Sequence, residues 1–203
     1  MTDNYTRIVE NNLETLYANL PPDLADNLPA RQDGDRFTFE AFGETCTIAP
    51  EAIFMGEGAF NPILGIIVSL YALNAKQDTC VTEPFKAFKE FPGSMPYVGA
   101  FATHTEQILV PHVEAVKAGM PFIKERLHGT DAPRDVSGDF AFVVYPLPKI
   151  ALCYIFYEAD DDFPASVTCL YSNNANMLLP LDPLADTGEY ASKKIIELAR
   201  GGC

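Results

Sequence analysis

The first third of the chain changes from one hydrophobic period to another. From Tyr5 onward apolar residues recur at three- and four-residue steps, which predicts an amphipathic helix over about residues 4–20. The proline-rich, acidic stretch 21–35 indicates a loop. From Phe37 apolar and polar residues alternate on both sides of Gly43, which predicts a hairpin followed by a short third strand.

The middle of the chain favours helices. Residues 62–75 are apolar nearly all round, which predicts a helix in the middle of the domain. Three phenylalanines at three-residue steps predict a short helix after it: Phe85, Phe88 and Phe91. The stretch 94–129 indicates further helices, interrupted at Pro111 and around residues 119–121.

The last third returns to period two. Residues 139–172 predict a meander of three antiparallel strands, and the second and third are apolar on both faces, so both faces should be covered. Residues 188–200 predict a closing amphipathic helix. Strands and helices are segregated along the chain, which predicts a single α+β domain over residues 1–203, with an antiparallel sheet packed by helices.

Charge narrows the range of partners. The formal net charge is −14, and no stripe of lysine and arginine interrupts it, so neither nucleic acid nor an anionic membrane surface is an expected partner. The N-terminus is polar and lacks the apolar run of a secretory signal, which favours the cytoplasm. A small molecule or a protein remains as the expected partner.

Four acids in five positions, Glu158 and Asp160 to Asp162, form the densest cluster of ionisable residues. The spacing fits neither an EF-hand loop nor a pair of hydrolytic carboxylates on separate elements. A solvated hairpin tip, in which aspartates accept hydrogen bonds from loop amides, is the favoured interpretation. A divalent metal site at Asp160–Asp162 stays open as an alternative.

The other chemically active residues form no recognisable motif. The histidines at 104, 112 and 128 lack metal-ligand spacing, although His104 or His112 could still serve as an axial ligand of haem or a corrinoid. The five cysteines are scattered and form no CxxC pair, so no cofactor is assigned. Cys153 and Cys169 fall on neighbouring strands and are interpreted as buried structural thiols.

Aromatic residues give one further indication of a site. Between Phe91 and Phe101 they alternate with glycines and prolines, a composition typical of loops that line an apolar pocket. We therefore expect Tyr97, Phe101 and His104 to line a pocket. In this hypothesis Asp160 and Asp162 form its polar rim.

Four blocks in one order resemble a known family: NPILGIIVSLYALNA, FKEFPGSMPYVGAF, GDFAFVVYPLPKIALCYIFYEADDDFPASVTCLYS and MLLPLDPL. Together they are similar to the domain-of-unknown-function family numbered 3786, of anaerobic bacteria and archaea. The resemblance extends from about Gly43 to the C-terminus. Its most specific part is the acidic turn: Asp160, Phe163 and Pro164 match the family pattern, while Tyr157 stands where a tryptophan is usual.

The resemblance implies a cytoplasmic protein of an anaerobe, and no established activity comes with it. Some relatives carry a four-cysteine iron–sulfur segment like that of corrinoid proteins, which these 203 residues do not contain. The leading hypothesis is a non-enzymatic module that binds a small ligand or a protein partner in anaerobic metabolism. The alternatives are a metal-dependent hydrolase or lyase using Asp160–Asp162, and a haem or corrinoid carrier using His104 or His112.

Overall fold

A computed structural model describes residues 4–56 and 61–201 of the chain. They form an α+β fold, as the segregated order of elements predicted. The α-helices are α1 Asn4–Ala18, α2 Leu24–Asn27, α3 Pro62–Leu73, α4 Val98–Phe101, α5 Val113–Arg126, α6 Ala175–Leu178 and α7 Leu181–Gly201. No helix of the described ranges combines the length and the apolar character that crossing a bilayer requires.

The smaller sheet is a four-stranded antiparallel meander near the N-terminus. Its strands are β1 Arg31–Asp33, β2 Arg36–Ala41, β3 Glu44–Ile48 and β4 Ile53–Met55. The predicted hairpin and third strand correspond to β2, β3 and β4. The prediction that 21–35 is only a loop was wrong, because burial of Leu24 and Leu28 stabilises α2 and because β1 pairs with β2.

The larger sheet contains the predicted meander as its three long strands. Its strands are β5 Lys86–Ala87, β6 Thr130–Asp131, β7 Phe140–Leu147, β8 Ile150–Tyr157 and β9 Ser166–Tyr171. The order across the sheet is β5-β9-β8-β7-β6, all antiparallel. Strand β8 is therefore central, and six of its consecutive residues from Ala151 are buried.

Helix α3 begins at a capped end. The Asn61 side chain accepts a hydrogen bond from the Ile63 amide at 3.0 Å, and Pro62 occupies the first turn, where its missing N–H costs nothing. The helix packs against α1 and α7. Its Tyr71 hydroxyl accepts a hydrogen bond from the Lys149 amide at 3.1 Å, which ties the helix to the turn between β7 and β8.

The middle of the chain differs from its predicted helices. Phe85 precedes β5, Phe88 is the first residue of a single 3-10 turn, Phe88–Glu90, and Phe91 follows that turn. Further along, a π-helix, Ala102–Glu106, precedes a 3-10 segment, Gln107–His112. Helix α5 continues through 119–121, where a break was predicted. The reason is close packing on α7: a Cβ atom at Gly119 would lie 3.2 Å from the Cα of Ala199.

Helix α7 begins at Leu181, seven residues before the predicted start at 188. Pro183 is tolerated there because it falls in the first turn. Gly188 was interpreted as a boundary but lies inside the helix, where a Cβ would approach the Tyr171 hydroxyl oxygen to 2.5 Å. The glycine therefore permits close packing of α7 on the larger sheet.

Candidate functional site

The larger sheet has two faces with different coverings. Helix α7 lies on one face, which we call the inner face, and bonds to it through the Tyr154 and Tyr171 hydroxyls. The opposite, outer face presents Val143, Cys153 and Ile155, which form a separate small apolar cluster with Ala151. Two segments without helix or strand cover this outer face, residues 79–85 and residues 132–138.

Between these two segments an open cleft of about 650 Å³, which we call the outer cleft, reaches the sheet. Ile155 and Leu170 form its apolar floor on adjacent strands. Its walls come from the two covering segments and the end of β8: Glu83, Pro84, Phe85, Pro133, Asp135, Val136, Ser137 and Tyr157.

The 79–85 wall is held by two consecutive asparagines that follow β9. The Asn174 side chain accepts a hydrogen bond from the Val81 amide and donates one to the Thr79 carbonyl, both at 2.9 Å. The Asn173 side chain donates to the Pro84 carbonyl at 2.8 Å. These bonds replace strand pairing and fix the segment against the edge of the sheet.

The 132–138 wall is held at its other end. The Tyr157 hydroxyl donates a hydrogen bond to the Ser137 carbonyl at 2.8 Å, and the Asp139 amide donates to the Phe156 carbonyl at 2.9 Å. At Gly138 a Cβ atom would lie only 2.6 Å from Cγ2 of Ile155, so only glycine allows the chain to run this close to the sheet. Hydrogen bonds to neighbouring strands and turns thus fix both walls, and a site that is held in place loses less conformational freedom when it binds a ligand.

The charged side chains that line the outer cleft are all acidic. Its charged lining residues are Glu83 and Asp135. Burial, reinforced by the Asp135 carboxylate, raises the pKa of Cys153, a buried thiol of the outer-face cluster, to about 11. Burial also raises the pKa of Cys80, which packs on the same cluster. Both thiols are therefore protonated at neutral pH, which leaves two carboxylates, the side chain of Ser137, apolar surface and aromatic rings as the chemistry that the cleft presents.

A second open cleft, of about 680 Å³, lies beside the smaller sheet. It contains charges of both signs, and one pair of them is already joined, since Lys194 donates to Glu44 at 2.7 Å; the Glu40 carboxylate accepts from the Thr45 hydroxyl at 2.8 Å. A ligand would have to displace these contacts. The outer cleft offers its carboxylates without that competition, which makes it the stronger candidate.

The residues predicted to line a pocket lie elsewhere in the fold. Phe101 is buried in the main core, stacked on Phe88 with ring centroids 4.7 Å apart. His104 is exposed on the π-helix, with Nδ1 3.3 Å from the Glu189 carboxylate of α7. Tyr97, which is partly buried, packs at the edge of the same core. These three residues are grouped with the inner-face helices, and none of them lines the outer cleft.

The acidic turn has the geometry of a hydrogen-bonded loop. The Asp160 carboxylate accepts from the amides of Asp162 and Phe163 at 2.9 and 2.7 Å, and the Asp160 amide donates to the Phe163 carbonyl. Asp162 is exposed, and Glu158 pairs with Lys117. Among the described residues no group of three or more histidine, cysteine, aspartate or glutamate side chains is arranged to hold a metal ion.

Pairing in the meander separates the two strand cysteines. Cys153 lies opposite Leu170 and Cys169 lies opposite Tyr154, so Cys153 faces outward and Cys169 inward. Both are buried free thiols, as are Cys46 and, in part, Cys80. Cys203 lies outside the described residues.

The outer cleft was missed at the sequence level, although two signals for it exist. Cys153, Ile155 and Tyr157 occupy alternate positions on β8 and must share one face. The segments TEPF and APRDVSG combine proline with acidic residues close to strands that are apolar on both faces. Such irregular segments cover a sheet but fill the space above it less completely than a helix does.

Comparison with known proteins identifies a family but no function. The family model described as Domain of unknown function (DUF3786) matches residues 21–194, most of the chain. No curated protein and no solved structure gives a significant match.

Proposed function

The chain belongs to the DUF3786 family, and we propose that it is a non-enzymatic module that binds a small molecule in the outer cleft. The observation that carries this proposal is an apolar sheet face reached through an opening between two covering segments that side-chain hydrogen bonds hold in place. From the family resemblance we place this role in the cytoplasm of an anaerobe.

Size favours a small molecule over a protein partner. A volume of about 650 Å³ lies within the roughly 300–1,000 Å³ typical of small-ligand pockets. The floor lies below walls on two sides, so a flat protein surface would not reach Ile155, which is 8% exposed. A compact ligand with an apolar body would fill the space and contact the floor directly.

The chemistry of the lining favours binding over catalysis. A nucleophile needs a base within hydrogen-bond reach. The Tyr157 hydroxyl is already a donor to a backbone carbonyl, and the thiol of Cys153 is completely buried and protonated. Glu83 and Asp135 can orient a ligand through their charge.

The two alternatives stay hypotheses that no specific contact favours. A hydrolase or lyase at Asp160–Asp162 would need its carboxylates free to bind a metal, whereas one oxygen of Asp160 accepts from two amides of its own turn. A haem or corrinoid carrier would use His104 or His112, and neither histidine lines either of the two clefts described above.

The proposal is tested by blocking the floor. In Leu170→Arg, a long charged side chain replaces a partly exposed residue and projects into the outer cleft. Phe122→Arg is the matched control, because Phe122 is also partly exposed and lies on α5. Wild-type protein and both variants would be screened against mixtures of metabolites by ligand-detected NMR.

We expect wild type and Phe122→Arg to bind the same compound and Leu170→Arg to lose it. Failure of wild type to bind any compound of a broad metabolite collection would contradict the proposal. Equal binding by all three proteins would place the ligand elsewhere on the surface.

A further inference from the structure

We propose that the ligand of the outer cleft is an organic cation with an apolar body, such as an alkylated or aromatic amine or a quaternary ammonium compound. This inference rests on the proposed function and adds the chemical class of the ligand. Its basis is the juxtaposition of two carboxylates, two aromatic rings and an apolar floor within one cleft.

The carboxylates of the cleft are available to a ligand. Within residues 4–56 and 61–201, neither Glu83 nor Asp135 has a cationic side chain within 4.0 Å, in contrast to Glu44, Glu158 and Glu189. Lys86 and Arg134 are close to them in sequence, yet neither lines the cleft. A bound cation would supply the missing counter-charge, while an anion would be repelled by both walls.

The carboxylates come from opposite walls. Glu83 belongs to the 79–85 segment and Asp135 to the 132–138 segment, with the floor residues between them. The Asp135 carboxylate acts electrostatically on this face of the sheet, since it contributes to the raised pKa of Cys153, which packs in the same apolar cluster as the floor residue Ile155. A positive charge held over the floor would therefore interact favourably with both walls at once.

Aromatic rings complete the environment that a soft organic cation prefers. Phe85 and Tyr157 both line the cleft, and Tyr157 is 40% exposed. The bond from its hydroxyl to the Ser137 carbonyl fixes the Tyr157 ring at the end of β8. Ring faces attract cations, most strongly where the cation is partly desolvated, and they tolerate methylated ammonium groups that hydrogen-bond poorly. The floor of Ile155 and Leu170 accepts the apolar remainder.

Three probes of nearly identical shape separate charge from size. They are choline, its neutral analogue 3,3-dimethylbutan-1-ol, and the anion 3,3-dimethylbutanoate. Each would be titrated into the protein at low salt, with backbone amide NMR shifts of Ile155 and Leu170 as the reporter of binding in the cleft. We expect choline to bind roughly tenfold more tightly than the alcohol, and the anion to bind most weakly.

Two variants with the same change in net charge locate the effect. In Glu83→Gln/Asp135→Asn we expect the preference for choline over the alcohol to fall to about twofold or less. In Glu10→Gln/Glu14→Gln, which neutralises two exposed acids of α1, we expect the preference to persist. Binding of the alcohol should be similar in all three proteins, which also shows that the variants are folded.

Equal binding of the three probes by wild type would overturn the inference that the ligand is a cation, while the proposed function would stand. The cation inference would also be overturned if the preference for choline survived in the cleft variant or fell as much in the α1 variant. Either result would attribute the preference to the overall charge of −14. If no probe shifts the floor amides, the cation inference fails, and the metabolite screen with Leu170→Arg decides the proposed function separately.

Discussion

The inner and outer faces of the larger sheet are built from the same strands but from side chains of different size. Inward-facing Phe142, Tyr154 and Phe156 are completely buried, and their rings pack with centroids 5.5 to 6.4 Å apart. Outward-facing Val143 and Cys153 alternate with them and are much smaller. The large rings fill the space beneath the helices, whereas the small side chains leave room beneath the covering segments.

The two faces also differ in how their coverings are attached. On the inner face the Tyr154 hydroxyl shares a hydrogen bond of 2.9 Å with Ser192, and the Tyr171 hydroxyl donates to the Leu184 carbonyl at 2.8 Å, both on α7. These bonds are buried, so breaking them would leave polar groups without water. On the outer face the anchoring bonds of Asn173 and Asn174 are exposed. We infer that the inner face provides stability and that the outer face provides a site that can open at low cost.

The largest expected loss of stability comes from a substitution on the inner face. Phe142→Ala should lower the free energy of unfolding by about 3–5 kcal/mol, because removal of a buried ring leaves a cavity that rigid neighbours cannot fill. Val143→Ala, the next residue on the outward face, should cost only about 1–2 kcal/mol. Urea denaturation of both variants measures the difference, and equal losses would contradict the distinction between the faces.

Features that depend on local sequence pattern could be predicted, whereas features that depend on contacts between distant residues could not. The meander was predictable because apolar runs rich in β-branched and aromatic residues, bounded by the prolines at 146 and 148 and by the acidic turn, are typical of strands that are buried on both faces. Phe101 shows the limit of this reasoning. Its neighbours suggested a pocket, but Phe88 and Tyr171 come from distant positions and enclose it in the core.

The opening of the outer cleft could not be predicted from the sequence for a related reason. One of its walls, residues 79–85, is positioned by hydrogen bonds between residues far apart in sequence, such as Val81 with Asn174. No periodic signal encodes such contacts, because the covering segments have no regular structure. The alternation of β8 predicts the floor, but only the path of the two segments shows that the floor is open.

A smaller effect concerns the charge carried by the helix on the inner face. Asp186 lies on α7 between Asp182 and Glu189, and burial, reinforced by these two acids, raises its pKa from 3.8 to about 6. Its carboxyl group therefore binds a proton more tightly in the folded protein than in the unfolded chain. The stability contributed by the protonated form is present below about pH 4 and is lost as the pH rises to about 6.

Asp186→Asn should consequently be more stable than wild type at pH 7, by up to about 1 kcal/mol once screening of this half-exposed group is allowed for. Below about pH 4 the advantage should vanish, because the wild-type carboxyl is then neutral too. Urea denaturation at intervals from pH 3.5 to pH 7.5 gives the difference curve. If the unfolding free energies of variant and wild type run parallel over this pH range, ionisation of Asp186 does not destabilise the folded protein.

The smallest expected loss of global stability comes from a substitution that loosens the covering of the outer face. Asn174→Ala removes both side-chain bonds to the 79–85 segment, but Val81 is 45% exposed and water can replace the bond to its amide. We expect a loss of no more than about 1 kcal/mol in the free energy of unfolding. Hydrogen exchange of the Val81 amide should accelerate by roughly tenfold, because the segment opens locally without global unfolding.

Asn12→Ala is the matched control for that variant, since the Asn12 side chain donates to the Ser69 hydroxyl at 2.9 Å between α1 and α3. It should leave exchange in the 79–85 segment unchanged. If Asn174→Ala also leaves exchange at Val81 unchanged, the Asn174 side chain does not hold the wall, and the two bonds of Asn173, from its amide to the Val81 carbonyl and from its side chain to the Pro84 carbonyl, would have to hold it. Faster exchange with intact global stability would instead show that the outer face is held independently of the core, as a preformed binding site requires.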